Sequence, residues 1–164
     1  MEDAIAKTNA RLQGAGFTVV GQYMPAEDAA RWVIIVSHSA LDNAVKSVGG
    51  LTGFAATLRV GITKEGEDIN ISYTNPNYWG NAYFRGDYDK VASYYSTVEK
   101  GLNEALGSVG EVKGTSFGSE KGETVEDLRE YHYMFGMPYF TDSVELEEYD
   151  SFEDPTFGGS GFCS

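Results

Sequence analysis

"LRVGITKEGEDINISYT", residues 58–74, decides the fold class of this chain. Leu58, Val60 and Ile62 alternate with Arg59, Gly61 and Thr63; Ile69, Ile71 and Tyr73 alternate with Asn70 and Ser72. A period of two sends alternate side chains to opposite faces of a strand. Between the runs stands KEGE, a hairpin connection, so LRVGIT (58–63) and DINISYT (68–74) are expected to pair antiparallel.

The pattern extends in both directions from this hairpin. Upstream, RWVIIV (31–36) is a continuous apolar run, expected as a central strand buried on both faces. FTVVGQY (17–23) alternates, with Phe17, Val19 and Tyr23 assigned to one face. A helix is expected over 3–13, carrying Ile5 and Leu12 and stopped by Gly14 and Gly16. A second is expected after Ser39, a candidate N-cap with Asp42 three residues on, and Gly49 and Gly50 end it. Downstream, Asp87 is a candidate cap for a helix with a stripe at Val91, Tyr94, Tyr95, Val98, Leu102, Ala105 and Leu106, ending at Gly107. Residues 107–123 are loop-like, with a short strand expected near Val112. Thr124 with Asp127 resembles a capping box, after which Leu128, Tyr131, His132 and Phe135 share a helix face up to Gly136 and Pro138. Ser143 to Tyr149 is expected as a short helix, and the last residues as frayed.

The expected order is therefore α-β-β-α-β-β-α plus a C-terminal helical extension. Paired strands between helices indicate the α+β class: an antiparallel sheet of about four strands with helices packed on one face. Residues 1–107 form the expected domain, and 108–164 an acidic, aromatic-rich extension packing on it. The chain has 164 residues, 41% apolar and 23% charged, ordinary values for a globular protein.

The charge is uneven. Residues 1–119 hold 13 acids and 10 bases, whereas 120–154 hold 12 acids and 2 bases, within a net charge of −13. Nucleic acid and anionic membranes need clustered Lys and Arg, so neither is an expected partner. No apolar run approaches the roughly 20 residues of a membrane helix. The start, MEDAIAKTNA, has no apolar segment of the signal-peptide kind. The single cysteine, Cys163, allows no internal disulfide. A cytoplasmic location is expected.

The first 107 residues resemble the DUF302-like family of small α+β domains. "GAGFTVVGQY" is similar to the family's passage from helix to first strand, and "VIIVSHSALDNAV" to the strand leading into its second helix. "LRVGITKEGEDINISYTNP" looks like its hairpin, closing in a tyrosine-to-proline segment. Where the family often carries a Gly-Asn-Pro turn, this chain has Ser37-His38-Ser39. The resemblance implies a compact sheet-and-helix domain that can dimerise. It implies no catalytic residue.

Chemistry-bearing residues are sparse. His38 stands at the end of a strand beside a helix start, and His132 on the aromatic face of the late helix. Each suits acid–base work at a pocket rim, and more often such residues are hydrogen-bonded structural ones. Two distant histidines and one terminal cysteine give no metal-ligand spacing, and ELEEYDSFED (145–154) lacks the glycine and register of a calcium loop. No metal and no cofactor is expected. Arg59 points away from Leu58 and Val60, toward an open face shared with Asn70 and Ser72, where it suits a carboxylate or a cross-strand pair.

Two stretches are dense in aromatics: YTNPNYWGNAY (73–83) and YHYMFGMPYF (131–140). In the first, Pro76 ends the strand and Asn77 is expected in a turn, while Trp79, Ala82 and Tyr83 share a short helical face that Tyr78 misses. Three uses are expected, in this order: mutual cover of a sheet face or edge, a homodimer contact, and a ligand cleft. The candidate ligand residues are Tyr73, Asn75, Tyr78, Trp79, Tyr83, Tyr131, His132, Met137, Tyr139, Arg59 and His38. The expected function is a non-enzymatic, self-associating binding or interaction domain. The alternative is a small-molecule binder or weak enzyme using a cleft between the two aromatic stretches.

Overall fold

The computed structural model describes residues 1–110, 122–132, 134–137 and 142. The chain divides into two compact units, Met1–Tyr131 and His132–Ser164. The expected strand near Val112, the helix at 143–149 and the acidic run at 145–154 lie outside the described residues.

The first unit is an α+β fold. Its sheet holds β1 (Phe17–Tyr23), β2 (Arg31–His38), β3 (Leu58–Glu65) and β4 (Asp68–Tyr73), in the spatial order β1-β2-β3-β4 and antiparallel throughout. The helices are α1 (Glu2–Gly14), α2 (Ser39–Val48), α3 (Pro76–Phe84), α4 (Tyr88–Gly107) and α5 (Val125–Arg129). A 3-10 segment, Gly50–Ala55, joins α2 to the approach of β3. The hairpin that decided the class has the expected form: Glu65 pairs with Asp68 across Gly66 and Glu67, with Gly66 at φ +62°. A positive φ in a two-residue hairpin loop matches the twist of the strands, and glycine adopts it without a Cβ penalty.

One sheet face is the core. Ile34, Val36, Leu58, Val60 and Ile62 are fully or almost fully buried, together with Leu12 of α1, Leu41 of α2 and Val91, Tyr95, Val98 and Leu102 of α4. Each such aliphatic side chain contributes roughly 1.5–3 kcal/mol relative to exposure. The expected stripe on α4 is the buried face of that helix, Tyr94 and Leu106 being its half-buried margins.

The opposite sheet face carries no such layer within β2, which corrects one expectation. Val33 and Ile35 are half-buried, whereas Ile34 and Val36 are sealed. The strand is central in the sheet but buried fully on one side only.

Strand β1 brings a second correction. Val19 pairs with Val36, but Gly21 pairs with Ile35, so one residue, Val20, is extra. This bulge reverses the side-chain parity of the rest of the strand. Phe17 and Val19 face the helices. Tyr23, expected beside them, pairs with Val33 and belongs to the open face, where it is 44% exposed. Gln22 takes the helix side instead, accepting from Asn9 Nδ2 of α1 (3.1 Å) and from Trp32 Nε1 (2.9 Å).

Two helix starts also differ from expectation. His38, not Ser39, caps α2: its Nδ1 accepts from the Ala40 amide at 3.0 Å. Asp42 accepts from Ser37 Oγ at 3.1 Å rather than closing a box with Ser39. The stretch after β4 is a nine-residue helix, α3, with Asn77 inside it rather than in a turn. Its cap is Asn75, whose side chain accepts from the Tyr78 amide, and Pro76 stands at the first helical position. Proline there loses no hydrogen bond, and its fixed φ suits the helix.

Thr124 caps α5 as expected, accepting from the Asp127 amide at 3.1 Å. The helix is shorter than its pattern. It ends at Arg129, and Arg85 Nη2 donates to the Tyr131 carbonyl at 2.9 Å, fixing the chain beyond its end. Leu128 is buried, but Tyr131 is exposed, so the expected face through Phe135 does not form. α5 belongs to the first unit, although it was expected in the extension. In the second unit, the Met137 amide donates to the Met134 carbonyl, a His132 ring nitrogen is hydrogen-bonded to the Met137 carbonyl, and Phe135 is fully exposed. Among the described residues, no helix is long and apolar enough to cross a membrane.

Candidate functional site

α3 organises the site because its two faces do different things. Asn77 and Asn81 are four residues apart, as are Trp79 and Tyr83. The two pairs are offset by two residues, about 200° around the helix.

The Asn77–Asn81 face is occupied by hydrogen bonds. Asn81 is buried, and its Nδ2 donates to the Asn77 carbonyl (2.9 Å) and to Asn77 Oδ1 (2.8 Å). Tyr88 Oη donates to the same Asn77 Oδ1 at 2.9 Å. Asn81 Oδ1 accepts from Arg129 Nε at 2.8 Å, and Arg129 Nη2 pairs with Asp89 at 2.7 Å. The Arg129 guanidinium also lies over the Tyr88 ring, 5.6 Å from its centroid, within cation–π range. This network joins α3, α4 and α5. Burial, helped by the nearby Glu99 carboxylate, raises the Tyr88 pKa, with Arg129 opposing. Gly80 lies on the same side, where any Cβ would collide with the Tyr88 ring.

The Trp79–Tyr83 face carries two half-buried rings. The two rings pack 4.8 Å apart at 59°, and Phe54 of the 3-10 segment lies 6.4 Å from Tyr83. With Gly53, Thr57, Arg59 and Thr74 these residues line a cleft of about 320 Å³. Phe54 is 63% exposed, although it is a phenylalanine beside two other aromatic rings. Thr74 Oγ1 is held at Arg59, 3.4 Å from its amide nitrogen and 3.5 Å from its carbonyl. The Arg59 guanidinium has no ion pair or hydrogen bond among the described residues. Among the described residues, no acid lines the cleft. The Trp79 indole N–H is buried without an acceptor among the described residues.

The sequence-derived candidates thus separate. Arg59, Trp79 and Tyr83 come together. Tyr73 does not join them: its hydroxyl donates to Asn103 Oδ1 of α4 at 2.7 Å, and burial, then the Glu99 carboxylate, raises its pKa. Asn75 is a helix cap and Tyr78 is exposed. His38 caps α2 and packs its ring 5.0 Å from that of Phe17, away from the cleft lining. Tyr131 is exposed and its carbonyl accepts from Arg85. His132 and Met137 belong to the second unit, and Tyr139 lies outside the described residues. Among the described residues, no three His, Cys, Asp or Glu side chains gather as a metal site.

Phe54, Thr57 and Thr74 were not among the candidates. Phe54 sits in GLTGFA, which lacks any period, so its proximity to α3 is a property of the tertiary fold. No family model matches this chain, and neither does any curated protein sequence.

Proposed function

We propose that this chain is a non-enzymatic binding domain whose ligand site is the Phe54–Arg59–Trp79–Tyr83 cleft. One observation carries this proposal: Arg59, whose guanidinium has no partner among the described residues, lines a cleft with three aromatic residues and, among the described residues, no acid. Aromatic side chains beside a few convergent polar groups recur in small-molecule sites. Among the described residues, the lining supplies no acid, histidine or cysteine to serve as base or nucleophile, which supports binding over catalysis. The test is a fragment screen on the ¹⁵N-labelled full chain. Shifts confined to Gly53–Arg59 and Thr74–Tyr83 are expected; shifts that map elsewhere overturn it.

Self-association is the second reading, favoured by the sheet face that carries no helical layer among the described residues. Tyr23 is exposed there, beside half-buried Val33 and Ile35. Aromatic and aliphatic groups of this kind populate homodimer contacts. Sedimentation equilibrium should show a dimer that Tyr23→Glu dissociates. A monomer at every concentration sinks the idea. The DUF302-like resemblance draws support from the element order through Tyr73, and we carry it, with a cytoplasmic setting, as part of the same proposal.

A further inference from the structure

We infer that the cleft takes a planar aromatic monocarboxylate, an inference that rests on the cleft being a binding site. Three aromatic side chains without a cation would suit a quaternary ammonium, which the ring faces attract. Arg59 on the same wall repels such a ligand and selects an anion. Its planar fork matches a carboxylate with two parallel hydrogen bonds.

The charge of the ligand follows from what else is absent from the lining. Among the described residues, Arg59 is the single charged residue that lines the cleft. The amide of Tyr78 at the start of α3, a ready anion donor, is already taken by Asn75. One guanidinium balances one negative charge. A phosphate dianion would bring an unbalanced charge to a chain of net −13.

The body of the ligand follows from the walls. Phe54 offers its ring to solvent at the cleft, where a flat ring can engage its edge or face. A volume of about 320 Å³ is at the small end for ligand sites and suits one fused ring system.

The experiment is a calorimetric titration of the full chain with three probes: 2-naphthoate, 2-naphthamide and 2-naphthyl phosphate. The naphthoate should bind roughly tenfold more tightly than the amide, the worth of one charge-assisted pair at a solvated site. Arg59→Gln should abolish that preference and leave the amide affinity unchanged. Arg59→Lys, which keeps the charge but loses the fork, should retain only part of it. Phe54→Ala should weaken the acid and the amide alike. Circular dichroism establishes that each variant is folded. Equal, Phe54-dependent affinities for acid and amide overturn the carboxylate and leave the cleft standing. Tighter, Arg59-dependent binding of the phosphate replaces the carboxylate with a phosphoryl group. No binding by any probe overturns the ligand class and the cleft together.

Discussion

Arg129 and Arg59 flank the same short helix and live in different conditions. Arg129 is one-quarter exposed and has Asn81, Asp89 and the Tyr88 ring as partners. Arg59 is exposed, with none for its guanidinium among the described residues. The first spends its hydrogen-bonding capacity on joining α5 to α3 and α4. The second has its capacity in reserve. A cation saturated by its own chain stabilises the fold. One left over beside a cleft is what the proposed ligand site requires.

If that contrast is right, the Arg129 side must respond to mutation in stability and the Arg59 side must not. The largest effect belongs to Asn81→Ala. It strands Arg129 Nε and removes two further hydrogen bonds in a buried position, and should cost about 2–3 kcal/mol in urea unfolding. An unchanged midpoint would break the comparison. Gly80→Ala should follow at about 1–3 kcal/mol, because the new methyl meets the Tyr88 ring and lies 3.0 Å from Tyr95 Cδ1. Better helix propensity offsets part of this, and a stabilised variant would show that α3 and α4 pack less closely than described.

Alkaline pH sharpens the comparison by a different route. Burial raises the pKa of Tyr88 and Tyr95, the latter with its hydroxyl on the Ala55 carbonyl, and that of Tyr73. A raised phenol pKa means the native state holds its proton where the unfolded state has lost it. The stabilisation is complete below about pH 10, the unfolded value, and is lost as pH rises beyond it. Unfolding free energy should therefore fall above that pH. Absorbance titration at the tyrosinate band should show a late-ionising group absent from the denatured chain. The smallest effect is at Arg59→Gln, under about 0.5 kcal/mol in stability. A larger loss would mean that Arg59 is structural after all.

The fold was legible where a short period repeats. The β3–β4 hairpin and the α4 stripe could be read because burial on one face forces alternation or helical spacing. What escaped depends on a single residue or on a distant one. An extra residue at Val20 leaves no mark in FTVVGQY, since alternation looks intact on either side of it. α3 carries its signal in the sequence: Asn75 followed by Pro76 is a cap and a first helical position. Of the site, Arg59 was placed by parity on β3 and Trp79 with Tyr83 by helical spacing. Phe54 and the hub role of Asn81 need the tertiary fold, for their partners lie 29 and 48 residues away.

The bulge in β1 has a consequence for assembly. β1 is an outer strand, and outer strands invite addition of another strand along their free backbone groups. A neighbour zipping along β1 would meet two residues where its own repeat supplies one, so the ladder would lose step midway. Growth of the sheet into a ribbon of many copies is discouraged on this side. The same extra residue turns Tyr23 outward to the open face. One insertion thus interrupts the outer ladder and sets the face on which Tyr23 lies.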